Sequence, residues 1–161
     1  MKASQRCLGL IKEFEGLKCN PYLDCCGVPT IAHGHTRGVS LTDPPCSLEE
    51  AEMWLQEDVG SAESIVDGRV HVPITQVQFD ALVSFVFNLG GAKFTDTSCT
   101  LLRWLNQGLP AEQVADQFTR WVYGTDPKTR QPIKLPGLVR RRAAEKALFL
   151  SDATPDLPEA A

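Results

Sequence analysis

Apolar residues recur with helical spacing from the start of the chain. Cys7, Leu10, Ile11 and Phe14 fall at i, i+3, i+4 and i+7, and Gly16 stops the run, which predicts a helix over residues 4–15. The period is then lost. Over residues 17–36, Pro, Gly and Asn punctuate short β-prone pieces at 21–23 and 28–32, the pattern of a small hairpin. Helical spacing resumes after Ser47-Leu48-Glu49-Glu50, a capping-box sequence, with Ala51, Leu55, Val59, Ala62 and Val66 running toward Asp67. A second capping sequence, Thr75 to Gln78, opens a segment that is apolar nearly all round and ends at Gly90-Gly91. Such a segment is expected to be a central buried helix. Shorter helices are predicted at 100–106, 111–122 and 138–150, with a Pro- and Gly-bearing loop at 124–136. The expected class is α+β, mostly α: a small N-terminal β-hairpin lobe at about 17–40, a larger helical lobe at about 47–150, and a disordered tail at 151–161.

With 161 residues, 43% of them hydrophobic, the chain can bury one core without covalent staples. No stretch approaches the roughly 20 apolar residues of a membrane helix. Lys2, Arg6, Lys12, Glu13, Glu15 and Lys18 leave no apolar core for a secretory signal in the first twenty positions. The expectation is a protein kept in the cytoplasm, without stable membrane insertion. Charge is unevenly spread: residues 1–102 carry seven Lys and Arg against thirteen Asp and Glu, residues 103–150 nine against four. The basic stretch reads as a surface that attracts an anion, although Arg140-Arg141-Arg142 point in different directions on a helix and only part of them can share that face. A net charge of −4 argues against a duplex nucleic-acid binder. Six cysteines are too sparse for a disulfide framework, so free thiols are expected.

Glu15 is the first candidate for chemistry. On a helical wheel it falls between Ile11 and Leu8, whereas Lys12 and Glu13 lie on the far side. A carboxyl tucked against apolar groups has its charged form disfavoured, which suits a general acid. Asp24 follows nine residues on and Thr30 six further. Cleaving a glycosidic bond needs an acid for the leaving oxygen and a second group, usually a carboxylate, as base or nucleophile, and a hydroxyl can hold a water in line. Glu15, Asp24 and Thr30 supply these types.

The wider string is more specific than the spacing. Glu15-Gly16, Pro21-Tyr22-Leu23-Asp24, Gly27 and Thr30-Ile31-Ala32-His33-Gly34-His35-Thr36 together resemble the active-site region of the phage T4-type lysozymes, the endolysins of glycoside hydrolase family 24. That family carries a Glu, eight residues, an Asp, five residues and a Thr, and each gap matches. The resemblance extends through Gln78-Phe79-Asp80-Ala81-Leu82, Phe85-Val86-Phe87-Asn88-Leu89-Gly90, Leu101-Leu102-Arg103, Pro136-Gly137-Leu138-Val139 and Arg141-Arg142, covering about residues 4–150.

It implies a two-lobed, lysozyme-like catalytic domain over 1–150, with Glu15 as general acid and Asp24 and Thr30 managing the attacking water. The implied reaction is hydrolysis of the β-1,4 bond between N-acetylmuramic acid and N-acetylglucosamine in bacterial peptidoglycan, for host lysis, with no cofactor and no metal. Asn88 and Phe87 match groove-facing family positions, and His35 matches a structural histidine. The implied protein is a phage-encoded monomer. It waits in the host cytoplasm until a separate holin-type protein gives it access to the wall in the periplasm.

Ala32 and His33 depart from the family pattern, where Gly commonly follows Thr-Ile, so a different hairpin bend is expected there. Four sharper readings compete. Cys25, Cys26, His33 and His35 carry zinc-binding atoms, but at poor spacing. Cys19, Cys25 and Cys26 flank Asp24, so a disulfide could reshape the groove on oxidation; unpaired thiols are favoured. A lytic transglycosylase or a non-catalytic wall-binding module would not require Asp24 and Thr30 alongside Glu15.

Overall fold

The computed structural model describes residues 1–24, 27–126 and 128–151. Cys25 and Cys26, invoked above for metal binding and redox control, and the expected tail beyond Ser151 lie outside them. Helix α1 (Gln5–Glu15) starts where the Ser4 hydroxyl accepts from the Arg6 N–H. It buries Cys7, Leu8 and Ile11 and ends at Gly16, whose φ of +69° suits a residue without Cβ. Strands β1 (Lys18–Leu23) and β2 (Pro29–Ala32) pair antiparallel, with a register irregularity between Lys18 and Tyr22.

Helix α2 (Leu48–Arg69) and helix α3 (Gln76–Leu89) both open on complete capping boxes, Ser47 with Glu50 and Thr75 with Gln78. Then come α4 (Gly91–Thr95), α5 (Thr100–Asn106), α6 (Ala111–Asp116), a 3-10 turn (Gln117–Arg120), strands β3 (Tyr123–Thr125) and β4 (Pro132–Lys134), and α7 (Pro136–Leu150). The molecule has the expected α+β class.

Helix α3 is the axis of the larger lobe, packed by α1, α2 and α7. Every position from Phe79 to Val86 is buried, which is why the segment carries no solvated stripe. Phe85 meets Phe94, Phe118 and Trp121 edge-on; each such buried phenylalanine stabilises the fold by about 1.5–3 kcal/mol. Two polar residues on this apolar axis have dedicated partners. Asp80 accepts from the Ser4 N–H at 3.0 Å and the Ser4 hydroxyl at 2.5 Å, pinning the entry to α1. Ser84 belongs to the site described below. No helix among the described residues is long and apolar enough to cross a membrane.

The hairpin lobe has only a small core: Ile31, Ala32, Cys46 and Ala51, with Cys19, Val39 and Trp54 against them. His35 stacks on Trp54 with ring centroids 5.1 Å apart, and its two ring nitrogens meet Asp58 Oδ2 at 2.8 Å and the Arg37 carbonyl at 3.0 Å. It is a structural histidine, as expected. Ile31 and His35 exchange both backbone hydrogen bonds at 2.9 Å, closing a tight return turn. Within it Ala32 has φ +57° and Gly34 φ +93°. Ala32 thus sits in the left-handed region that favours glycine, which for an alanine costs about 1–2 kcal/mol.

Two expectations about the C-terminal half need correction. The helix expected at 111–122 breaks at Asp116 into the 3-10 turn and ends before Trp121. The loop expected at 124–136 contains a second hairpin, with Tyr123 opposite Lys134, Gly124 opposite Ile133 and Thr125 opposite Pro132. Asp126 organises its turn by accepting from the Lys128 and Thr129 N–H groups at 2.7 and 3.0 Å. Gly124 pairs with Ile133 in the strand, and its missing Cβ leaves room for Leu135, whose Cδ1 would lie 2.6 Å from it. Pro and Gly, which suggest a loop in one dimension, here allow close approach in three.

Candidate active site

Glu15 is the last residue of α1, so its side chain leaves the helix where Gly16 turns the backbone toward β1. The carboxylate is 22% exposed. It meets a cation: Glu15 Oε1 accepts from Arg141 Nη1, reaching across from α7. Apolar neighbours were expected at this position; Leu8 and Ile11 are buried, but the carboxylate itself is paired with a guanidinium. The hairpin closes in from the other side. His33 Nδ1 hydrogen-bonds the Gly16 carbonyl, and a side chain at Gly34 would begin 3.7 Å from Glu15 Oε2. Glu15 thus sits on the wall of a cavity of about 400 Å³ shared with Phe14, Asn88, Leu138, Arg140 and Arg141.

Arg141 is 3% exposed and is held as firmly as it holds. Its Nε donates to Glu145 Oε1 at 3.1 Å and its Nη2 to the Ser84 carbonyl at 3.2 Å. Glu145, fully buried, also accepts from the Ser84 hydroxyl at 2.9 Å and from Arg142 Nη1. Arg142 donates onward to the Trp121 carbonyl at 3.1 Å and to Asn88 Oδ1, with its guanidinium 4.7 Å from the Phe85 ring centre. Burial pushes the Arg142 pKa down from its ordinary value, and the charge of Glu145 opposes that shift. Buried charge is tolerable only when paired and hydrogen-bonded, and among the described residues no buried side-chain nitrogen or oxygen lacks a partner. The arginine cluster expected to face an anion is therefore mostly internal. Arg140 is exposed; Arg141 and Arg142 are structural.

Asp24 and Thr30 each hydrogen-bond one of the two backbone groups of Val28. Asp24 Oδ1 accepts from the Val28 N–H at 2.8 Å, while the Thr30 hydroxyl donates to the Val28 carbonyl at 2.9 Å. Asp24 is half-buried and Thr30 is 3% exposed. The Asp24 N–H closes the turn onto the Val28 carbonyl at 3.0 Å. With its proton engaged, the Thr30 oxygen keeps acceptor capacity. Of the two groove candidates on α3, Asn88 is exposed and lines the Glu15 cavity, whereas Phe87 is half-buried against the helical core and is not part of that wall.

Sequence reasoning missed the Arg141, Glu145 and Ser84 support of Glu15. A signal was present. Arg141 and Arg142 stand four and three residues before Glu145 on one helix, and Ser84 interrupts an otherwise apolar segment. His33 and His35 are engaged separately, with Gly16 and with Asp58.

Residues 12–145 match the family described as phage lysozyme. The endolysin of Acyrthosiphon pisum secondary endosymbiont phage 1 is 39% identical over 151 residues, covering 94% of this chain and 99% of that protein. The endolysin of Bacillus phage PZA is 39% identical over 156 residues, and there this chain, 94% covered, spans 56% of the relative's length. Among solved structures, the muramidase domain of SpmX from Asticaccaulis excentricus superposes with a TM-score of 0.85 at 36% identity, covering 94% of this chain and 99% of that one.

Proposed function

Because the chain belongs to the phage lysozyme family, we propose that it is an endolysin that hydrolyses the β-1,4 bond between N-acetylmuramic acid and N-acetylglucosamine in bacterial peptidoglycan. The observation that carries this reading is the Glu15 carboxylate, fixed on a cavity wall by a buried guanidinium and overhung by the hairpin's return turn. Glu15 protonates the leaving glycosidic oxygen. Asp24 activates the attacking water, and Thr30, its own proton held by Val28, accepts a hydrogen from that water and fixes its orientation. Asn88 contributes amide N–H donors to the sugar, since its Oδ1 is occupied by Arg142, while Phe87 supports that helix end from beneath. The reaction is inverting, needs no cofactor or metal, and is carried out by a monomer. Lysis follows once a holin-type protein lets the enzyme pass from the host cytoplasm to the wall.

The direct test is mass spectrometry of digested peptidoglycan. Reducing N-acetylmuramic ends are expected; anhydro ends would replace hydrolysis with a transglycosylase reaction, and intact glycan would reduce the protein to a binding module. Glu15→Gln should keep the fold by circular dichroism and lower the turbidity-clearing rate at least about 100-fold. A near-native rate removes Glu15 from the acid role. Co-expression with and without a membrane-permeabilising protein tests the route, and lysis without the permeabiliser would overturn it.

A further inference from the structure

Cys19 lies in β1 and Cys46 two residues before α2, at the two ends of the segment that carries Asp24, Thr30 and the return turn. The Cys46 N–H donates to the Cys19 carbonyl at 2.9 Å. That hydrogen bond sets the two residues side by side, in reach of the Cα separation of about 4.4–6.8 Å that a disulfide spans. Both side chains join the small apolar cluster around Ile31, Ala32 and Ala51. The thiols are within hydrogen-bond reach of one another, and burial together with Cys19 raises the Cys46 pKa above its ordinary value. Cys46 also lines a cavity of about 220 Å³ with His35, Arg37 and Trp54, which opens a path to it from solvent. Cys7 and Cys99, by contrast, are buried in the helical core.

We propose that Cys19 and Cys46 form a disulfide that clamps the hairpin lobe to the foot of α2. The oxidant is a small-molecule or protein disulfide. The half-buried Cys19 attacks first as thiolate, breaking the oxidant's S–S bond to give a mixed disulfide and one released thiol; Cys46, as thiolate, then attacks the Cys19 sulfur and displaces the second thiol. Two hydrogens leave the protein and the oxidant gains both. The closed loop spans residues 19–46, so the cross-link removes conformations from the unfolded chain and holds Asp24 and Thr30 against the rest of the lobe. Such a link suits an enzyme that moves from a reducing to an oxidising space, but its formation depends on the fold alone and not on the reaction proposed for the groove.

The test uses the native chain equilibrated with oxidised glutathione, alkylated, digested without reductant and mapped by mass spectrometry. A peptide pair joined through Cys19 and Cys46 is expected. The oxidised protein should melt about 5–10 °C above the reduced one, and dithiothreitol should abolish the difference. Cys19→Ser and, independently, Cys46→Ala should each eliminate the linked peptide and the shift. Alkylation of both cysteines after equilibration, glutathione retained on Cys19, or Cys19 joined to Cys25 or Cys26 would each overturn the proposal.

Discussion

Glu15 and Asp24 are close in sequence but are held in opposite ways. Asp24 is fixed by the N–H of Val28, four positions on, and Thr30 by the carbonyl of the same residue. Glu15 is fixed by Arg141, 126 positions away, and Arg141 in turn by Glu145 and Ser84 in the interior. The hairpin arrangement is a short-range turn with a small apolar core. The helical arrangement is a buried ionic network that exists only when α1, α3 and α7 are packed. A local turn can form at little cost beyond ordering a few residues, whereas a buried network must offset the desolvation of every charge in it. Damage to the two should therefore look different: global for the network, local and chemical for the turn.

The largest effect is expected at the hub of the network. Glu145→Ala leaves two guanidinium groups buried without their carboxylate and should cost about 3–5 kcal/mol in urea unfolding, with loss of lytic activity. A loss under about 1 kcal/mol would mean that water or rearrangement replaces the network. Asp24→Asn keeps an oxygen for the Val28 N–H, so stability should change by less than about 1 kcal/mol while the lytic rate falls at least about 100-fold. Comparable damage to stability would erase the contrast between the two regions.

Smaller effects sharpen the picture. Ala32→Gly relieves the left-handed alanine but gives up a buried methyl, for a net gain of about 0.5 kcal/mol by thermal melting. Lys12→Ala probes the surface pair that joins α1 to α2. The Lys12 ammonium hydrogen-bonds Glu52 at 2.5 Å and holds its carboxyl below the usual range. The folded state thus binds protons less readily there than the unfolded chain, so the pair contributes above the ordinary carboxylate pKa and is lost as pH falls through the lowered value. The difference between wild type and variant should be small at neutral pH, shrink in salt and vanish in acid.

Much of the fold was legible because its signals are local. The two capping boxes mark the starts of α2 and α3 to within a residue, and the mostly apolar residues of α3 identify the central helix. The second hairpin was not legible, since Gly124 and Pro132 are read as loop residues until Leu135 is known to pack over Gly124. At the site, Glu15, Asp24 and Thr30 were singled out by the resemblance of their surrounding string to a known family, because residue type and spacing alone are common. The polarity around Glu15 could not be read this way, because helical-wheel neighbours describe one helix and the decisive partner comes from another.

Sequence alone determined the starts of α1, α2 and α3 and the N-terminal hairpin, all of which depend on neighbours a few positions away. Tertiary structure decided the function of each charge. Arg141 and Arg142 belong to a basic run in the sequence, yet packing of α7 against α3 buries both and turns a supposed surface into the support of Glu15. The physical reason is that desolvation and pairing depend on distance in space, and chain position does not determine that distance.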